Sequence, residues 1–255
     1  IQVSWIGYSG TTGLPEMDYI IADAQVIPEM QHKNYSEQIV SLPSQYLCFE
    51  PESIVMEKPQ LLEGKGGDII FGSFNNHMKL NADVIRVWSL ILQNVPHSKL
   101  FLKSRRLGNT ALQMHIKKQF QFHGIDISRL ILSGPVDKPD HFSSYNMIDI
   151  ALDPFPYCGT TTTIEALAMG VPVITLVGDR WVQRTSYSFL QILGYDFLCA
   201  DTELGYVKVA TRLAKDKKLL KSLRANGQNR FRQSSICKVN QFTLDVESAY
   251  REIWS

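Results

Sequence analysis

From about Asp68 onward the chain alternates short apolar runs with amphipathic stretches, and this alternation is what most restricts how it can fold. The runs are rich in Ile, Val, Phe and Leu and cover Asp68 to Ser73, Lys99 to Lys103, Arg129 to Ser133, Asp149 to Asp153, and Val171 to Leu176. Between them apolar residues recur at helical spacing, as in Val84, Val87, Trp88 and Ile91, or Leu112, Ile116 and Phe120. Strand and helix in alternation predict an α/β protein whose parallel sheet is covered on both faces. Gly and Pro fall where such elements stop, with Pro96 before one strand, Gly124 and Gly170 at helix ends and Pro172 just beyond. Helical patterns then run over Thr202 to Asp216, Lys217 to Arg232 and Gln241 to Trp254. The last has no strand to feed, so it must dock elsewhere.

The first 65 residues differ. Val3 to Tyr8, Tyr19 to Ala22 and Tyr46 to Phe49 read as strands, Tyr35 to Ser41 as a short helix, and the Pro- and Gly-rich stretch from Glu50 to Gly67 as a linker between lobes. No internal repeat is visible. Ile1 to Tyr8 carry no initiator Met or signal-type segment, which suggests a chain beginning inside a larger protein.

Twenty-six basic residues balance 25 acidic ones, so no global field recruits nucleic acid or an anionic membrane, and an anionic ligand needs a local site. The apolar runs are far below the roughly 20 residues that span a bilayer. Cys48, Cys158, Cys199 and Cys237 lack the close spacing of zinc ligands and fit a reducing compartment, the cytoplasm by default. The six His residues show no metal-ligand spacing either.

Three loops carry chemistry. In Asp153-Pro154-Phe155-Pro156-Tyr157-Cys158-Gly159-Thr160-Thr161-Thr162-Thr163-Ile164-Glu165 a strand ends, a turn follows and a helix begins within the Thr run. Its N-terminus would offer free amides, a positive dipole end and hydroxyls to a phosphate. The same residues also fit a capping box with Thr162 as N-cap and Glu165 three places on, which needs no ligand. Gly72-Ser73-Phe74-Asn75-Asn76-His77-Met78-Lys79 supplies amides and a cation, or simply a solvated turn. Gly134 to His141 follows another strand; there Lys138 and His141 could pack on a base, or Asp137 or Asp140 could cap a helix. Convergence favours function, since all three loops leave the same edge of one parallel sheet. No Walker A sequence, no G-x-G-x-x-G after a strand and no G-x-S-x-G elbow is present. Asp149 and Asp153, four apart on a strand end, lie about 13 Å from each other if extended, too far for one ion.

Taken together, Gly72 to Asn76 with Lys79, the Lys138 and His141 spacing, and the Gly-Thr run before Glu165 resemble the catalytic region of protein O-linked N-acetylglucosamine transferases, in particular their SPINDLY-like branch. Trp5 to Pro15, Met17 to Tyr19 and Phe242 to Trp254 resemble the same family. The resemblance implies a GT-B fold, two Rossmann-like lobes facing each other with helical repeats upstream. Residues 1–65 would be the tail of the first lobe and 66–255 the donor-binding lobe, closed by a helix that crosses back. It implies that Lys79 contacts the diphosphate with Asn76 beside it, that Lys138 and His141 hold the base, that Thr160, Thr161 and Thr162 meet the phosphates, that Glu165 holds the ribose, and that Gly7 borders the donor. Metazoan members carry Gln, His and Asp where this chain has Asn76, Thr160 and Glu165.

The implied activity is inverting transfer of a sugar, without metal ion or cofactor, to Ser or Thr of a protein acceptor. The implied donor is UDP-N-acetylglucosamine, with GDP-fucose as the alternative. A module that binds nucleotide sugar without catalysis is the rival from another class.

Overall fold

The computed structural model describes residues 1–50 and 68–255, Lys138 and Pro139 by backbone alone. Two separate parallel sheets organise them. The smaller pairs β1 (Val3–Ser4), β2 (Tyr19–Asp23) and β3 (Gln38–Leu42) in that order. The larger contains β4 (Ile70–Ser73), β5 (Lys99–Lys103), β6 (Leu130–Ser133), β7 (Ile150–Leu152), β8 (Val173–Leu176) and β9 (Cys199–Ala200). Its order is β6-β5-β4-β7-β8-β9, so the chain moves outward from β4 in one direction and then in the other. That reversal opens a crevice beyond the C-terminal ends of β4 and β7, where doubly wound sheets take ligands.

The expected alternation is present. After β4 comes α1 (Ala82–Asn94), started by Asn81, whose side chain accepts from the Val84 amide at 2.9 Å. Its Val84, Ile85, Val87, Trp88, Ile91 and Leu92 are buried against the sheet, as the helical spacing predicts. The other crossover helices are α2 (Thr110–Phe122), α3 (Lys138–Ser143), α4 (Thr161–Ala168) and α5 (Thr185–Ile192), and α6 (Glu203–Lys215) follows the last strand. Then come α7 (Lys217–Gln233) and α8 (Val239–Trp254). Phe242, Val246 and Ala249 of α8 form one cluster with Ile21 and Leu42 of the smaller sheet, so the terminal helix does cross back.

Residues 1–50 depart from expectation in three places. Tyr35 to Ser41 is not a helix: Gln38–Leu42 pairs with Tyr19–Asp23 over five registered positions, and the nearby helical turn lies at Glu29–Asn34 instead. Parallel pairing to a buried strand overrides a local pattern too short to choose. Tyr46 to Phe49 joins no ladder; the Tyr46 amide donates to Asp23 Oδ2 at 3.1 Å and the Phe49 amide to the Ile236 carbonyl at 2.8 Å. Its apolar character comes from packing between elements. The first strand stops at Ser4, and Ile6 with φ 63° cannot continue an extended run. Most of the expected linker, residues 51–67, lies outside the described residues.

The sheets meet around Asp23, whose buried carboxylate accepts from the Gln25, Val26 and Tyr46 amides and from Ser188 Oγ of α5 at 3.0 Å. Beside it Tyr46 Oη lies 3.2 Å from Thr185 Oγ1, Arg184 Nε donates to the Gln25 carbonyl at 2.6 Å, and Trp181 packs edge-on against Tyr46. Asp23→Ala would orphan several buried donors at about 1–3 kcal/mol each. The expected loss is about 3 kcal/mol or more, read from the urea midpoint, and Asp23→Asn should recover part of it.

Candidate functional site

The loops leaving β4 and β7 meet at the crevice. Asn76 caps the turn His77–Lys79 by accepting from the Met78 amide at 3.1 Å, and this turn points Lys79 across to the other loop. Lys79 Nζ donates to Asn75 Oδ1 at 3.0 Å and to the Cys158 carbonyl at 2.8 Å, and lies 4.4 Å from the centre of the Tyr157 ring. An ammonium has three donors, and among the described residues the third has no partner. Burial pushes the Lys79 pKa down, with the Asp153 carboxylate partly offsetting it. Lys79 and Asn76 line a cavity of about 370 Å³ with Met78, Asn81, Phe155, Pro156 and Tyr157.

The turn after β7 is fixed by Asp153. Its buried carboxylate accepts from the Gly159 amide at 2.6 Å and from Thr175 Oγ1 of β8 at 2.8 Å. Gly159 must be glycine, because a Cβ there would lie 2.5 Å from Thr163 Oγ1 and 2.7 Å from Thr162 Oγ1. Helix α4 therefore begins at Thr161 with Thr160 as N-cap, and no side chain caps it. The capping box drops out: Thr162 lies inside the helix, its Oγ1 donating to Asn75 Oδ1 at 3.0 Å, and Glu165 is engaged elsewhere. The first-turn amides keep their positive end open toward the crevice. Asn75 thus bridges the cation and the helix start through one oxygen.

Glu165 Oε2 lies 2.9 Å from His141 Nε2 of α3 and accepts from Tyr145 Oη at 2.9 Å, while Oε1 has no partner among the described residues. Burial and the Glu165 charge hold Tyr145 protonated, which keeps it a donor. The structure thus brings together Lys79, Asn76, Thr160, Thr161, Thr162, Glu165 and His141. Lys138 opens α3, but its side chain lies outside the described residues. Gly7 stands apart: it is exposed in the loop after β1, its amide donates to the Trp5 carbonyl at 2.7 Å, and it shares no hydrogen bond with the cluster. Asp149 and Asp153 serve different elements, Asp149 Oδ2 accepting from the Ile70 amide at 2.7 Å. Among the described residues no three of His, Cys, Asp and Glu gather as metal ligands.

Sequence reasoning missed Asn75 as the bridge, Asp153 as the anchor and Tyr145 as a Glu165 partner. Tyr145 was findable, four places after His141 at helical spacing.

The family model described as glycosyl transferase family 41 matches residues 1–54 and 50–246. The chain belongs to glycosyl transferase family 41. It is 38% identical over its whole length to a protein of Petunia hybrida named probable UDP-N-acetylglucosamine-peptide N-acetylglucosaminyltransferase SPINDLY, and 36% identical to the one of the same name from Arabidopsis thaliana. It covers 27% and 28% of those proteins, so it spans about a quarter of the length of the curated relatives it matches. Among solved structures, a mutant of the Thermobaculum terrenum O-GlcNAc transferase superposes on the whole chain with a TM-score of 0.89 at 32% identity, the chain covering 48% of it. A sucrose-phosphate synthase from Thermosynechococcus elongatus, 16% identical with a TM-score of 0.66, shares the fold over 94% of the chain and has 59% of its own length covered. The fold of this family 41 chain is GT-B, as the resemblance implied. No helix among the described residues is long and apolar enough to cross a membrane.

A half-buried ammonium held by two neutral acceptors adds little to folding. In this family 41 chain, Lys79→Met should change stability at pH 7 by no more than about 1 kcal/mol. Because the folded pKa lies below the ordinary 10.5, the unfolded chain binds more protons in that window and wild-type stability climbs as pH approaches 10.5. The variant should flatten part of that climb, measured by urea titration across pH.

Proposed function

We propose that this chain is the donor-binding part of an inverting glycosyltransferase that moves N-acetylglucosamine from UDP-N-acetylglucosamine to Ser or Thr of a protein acceptor. In this reading residues 1–65 complete the first lobe, residues 66–255 form the donor lobe, and the enzyme works in the cytoplasm, where four unpaired thiols suit a reducing medium. The observation that carries it is the junction of Lys79, Asn75 and Thr162, which sets a partly buried cation beside the uncapped start of α4. The relatives' names supply the sugar and the acceptor class.

The chemistry follows from the charges. As the glycosidic bond breaks, an oxocarbenium-like sugar leaves negative charge on the departing diphosphate. The free donor of Lys79 and the first amides of α4 are oriented to receive it before the reaction begins, which is what makes such stabilisation effective. Thr160 and Thr161 add hydroxyls at the same helix start. At the other end, Glu165 Oε1 is an available acceptor for ribose hydroxyls, and this reading assigns the base to His141 and Lys138. The same reading assigns the sugar to Asn76, and to Gly7 from the first lobe, although Gly7 stands apart from the cluster in this structure.

Lys79→Ala should leave a folded protein whose transfer is slower by roughly 10² to 10³. The full-length enzyme is to be assayed against UDP- and GDP-sugars: transfer from UDP-N-acetylglucosamine supports the reading, transfer only from GDP-fucose reassigns the donor, and binding without transfer leaves a non-catalytic module. Since the positive charge comes from permanent parts of the chain, transfer should survive EDTA, and added Mg²⁺ or Mn²⁺ should change the initial rate little. A complete, metal-reversible loss in chelator would refute this mechanism.

A further inference from the structure

Beneath the cluster around Glu165 lies a buried charged residue. Lys103 ends β5 and is only 4% exposed. Its Nζ donates to Ser144 Oγ at 2.8 Å and to the His141 carbonyl at 3.3 Å, and sits 5.1 Å from the centre of the Phe74 ring. Ser144 Oγ passes the bond on, donating to the Asp140 carbonyl at 2.6 Å. One cation thus gathers the carbonyl end of α3, where positive charge is favoured. Phe74 in turn packs on the Tyr145 ring at 4.5 Å between centres. His141 and Tyr145, the two residues that reach Glu165 Oε2, are therefore both placed over Lys103.

We propose that Lys103 is a positioning residue for the nucleoside end of the donor site, holding His141 and Tyr145 against Glu165 so that the carboxylate keeps its free oxygen toward the ligand. This rests on the donor-site reading given above. Lys103 does not touch the reacting atoms, so its loss should appear in donor affinity rather than in turnover.

The groups facing it set a pH signature. Glu165 from α4 and Asp140 from α3 favour its charge, Phe74 and Tyr145 contribute rings, and the His141 carbonyl and Ser144 hydroxyl accept its protons. Burial outweighs the two carboxylates and pushes the Lys103 pKa down to about 8. Above that pH the ammonium loses a proton and its hold on α3 weakens. Folding responds in the opposite sense: the folded pKa lies below the unfolded one, so stability rises with pH from about 8 toward 10.5. A purely structural lysine would not weaken donor binding while the fold grows more stable.

The test uses the full-length enzyme with Lys103→Met, Lys103→Arg and Ser144→Ala, following UDP and GDP binding by calorimetry, donor KM and kcat, and urea unfolding between pH 6.5 and 9.5. Lys103→Met should weaken nucleoside diphosphate binding and raise donor KM roughly 10-fold, with kcat within about 3-fold of wild type. Wild-type affinity should fall as pH passes about 8. Lys103→Met should lack that limb, and Lys103→Arg should keep affinity across the range because its charge does not titrate there. If Lys103→Met fails to fold, Ser144→Ala decides, since it keeps the cation and releases one tether; a donor KM raised about 3-fold at unchanged kcat supports the role. Wild-type affinity and an unchanged alkaline limb in Lys103→Met, or an unchanged KM in Ser144→Ala, overturn it. If the wild type binds neither UDP nor GDP, the donor-site reading falls and this inference with it; if the wild type binds and only the Lys103 variants behave as wild type, this inference alone falls.

Discussion

The turn between β7 and α4 depends on one buried carboxylate. Asp153 accepts from the Gly159 amide and from Thr175 of the neighbouring strand, while its own carbonyl accepts from Tyr206 Oη of α6 at 2.9 Å. Burial pushes its pKa up, and the hydrogen bonds it receives together with the Lys79 charge work against that rise. Asp153 thus ties strand, turn and covering helix at the point where the sheet reverses direction. The position of α4, and with it the threonines and Glu165, follows from that knot. Lys79 belongs to the same balance: its cation eases the cost of a buried anion while its remaining donor stays open.

Charge is then sorted along the crevice. The Lys79 and α4 end is positive and hydroxyl-rich, and the Glu165 end is negative with one oxygen unspent. A ligand that carries a diphosphate at one end and vicinal hydroxyls at the other matches that order, whereas a uniformly charged ligand does not. The aromatic rings of Phe74, Tyr145 and His141 pack at tilted and edge-on angles around the Glu165 end and bury much of it. In such surroundings each hydrogen bond counts for more than it would at an open surface.

How much of this was legible depended on the range of the contacts. In residues 68–255 successive strands lie about 20 to 31 residues apart, and five of the six show as apolar runs with boundaries off by a residue or two, whereas the two-residue strand Cys199–Ala200 is too short to leave a run. The smaller sheet could not be read in this way. Gln38–Leu42 is a strand because Tyr19–Asp23 lies beside it, and no local pattern states that. Site residues split in the same way. Lys79, Glu165 and the threonines stand in segments whose composition is unusual, whereas Lys103 looks like the exposed end of a strand until the fold sets α3 above it. In the sequence Asp153 is only the last residue of an apolar run, and its role as a tie to β8 and α6 exists only in three dimensions.

On the smaller sheet a second carboxylate behaves in the opposite way. Glu37, next to β3, accepts from Thr11 Oγ1 at 2.7 Å and from both the amide and hydroxyl of Thr12 at 2.6 Å, which pins the loop that follows Gly7. Burial alone would raise its pKa, but these donors prevail and hold it down to about 2. A carboxylate depressed in this way contributes its full stability above the ordinary value of 4.5 and loses it as pH falls from there through about 2. The Gly7 loop therefore stays anchored across the whole range in which Lys103 titrates. A pH response near 8 is then to be sought in the larger sheet, in the charge beneath His141, and not in a loosening of this loop.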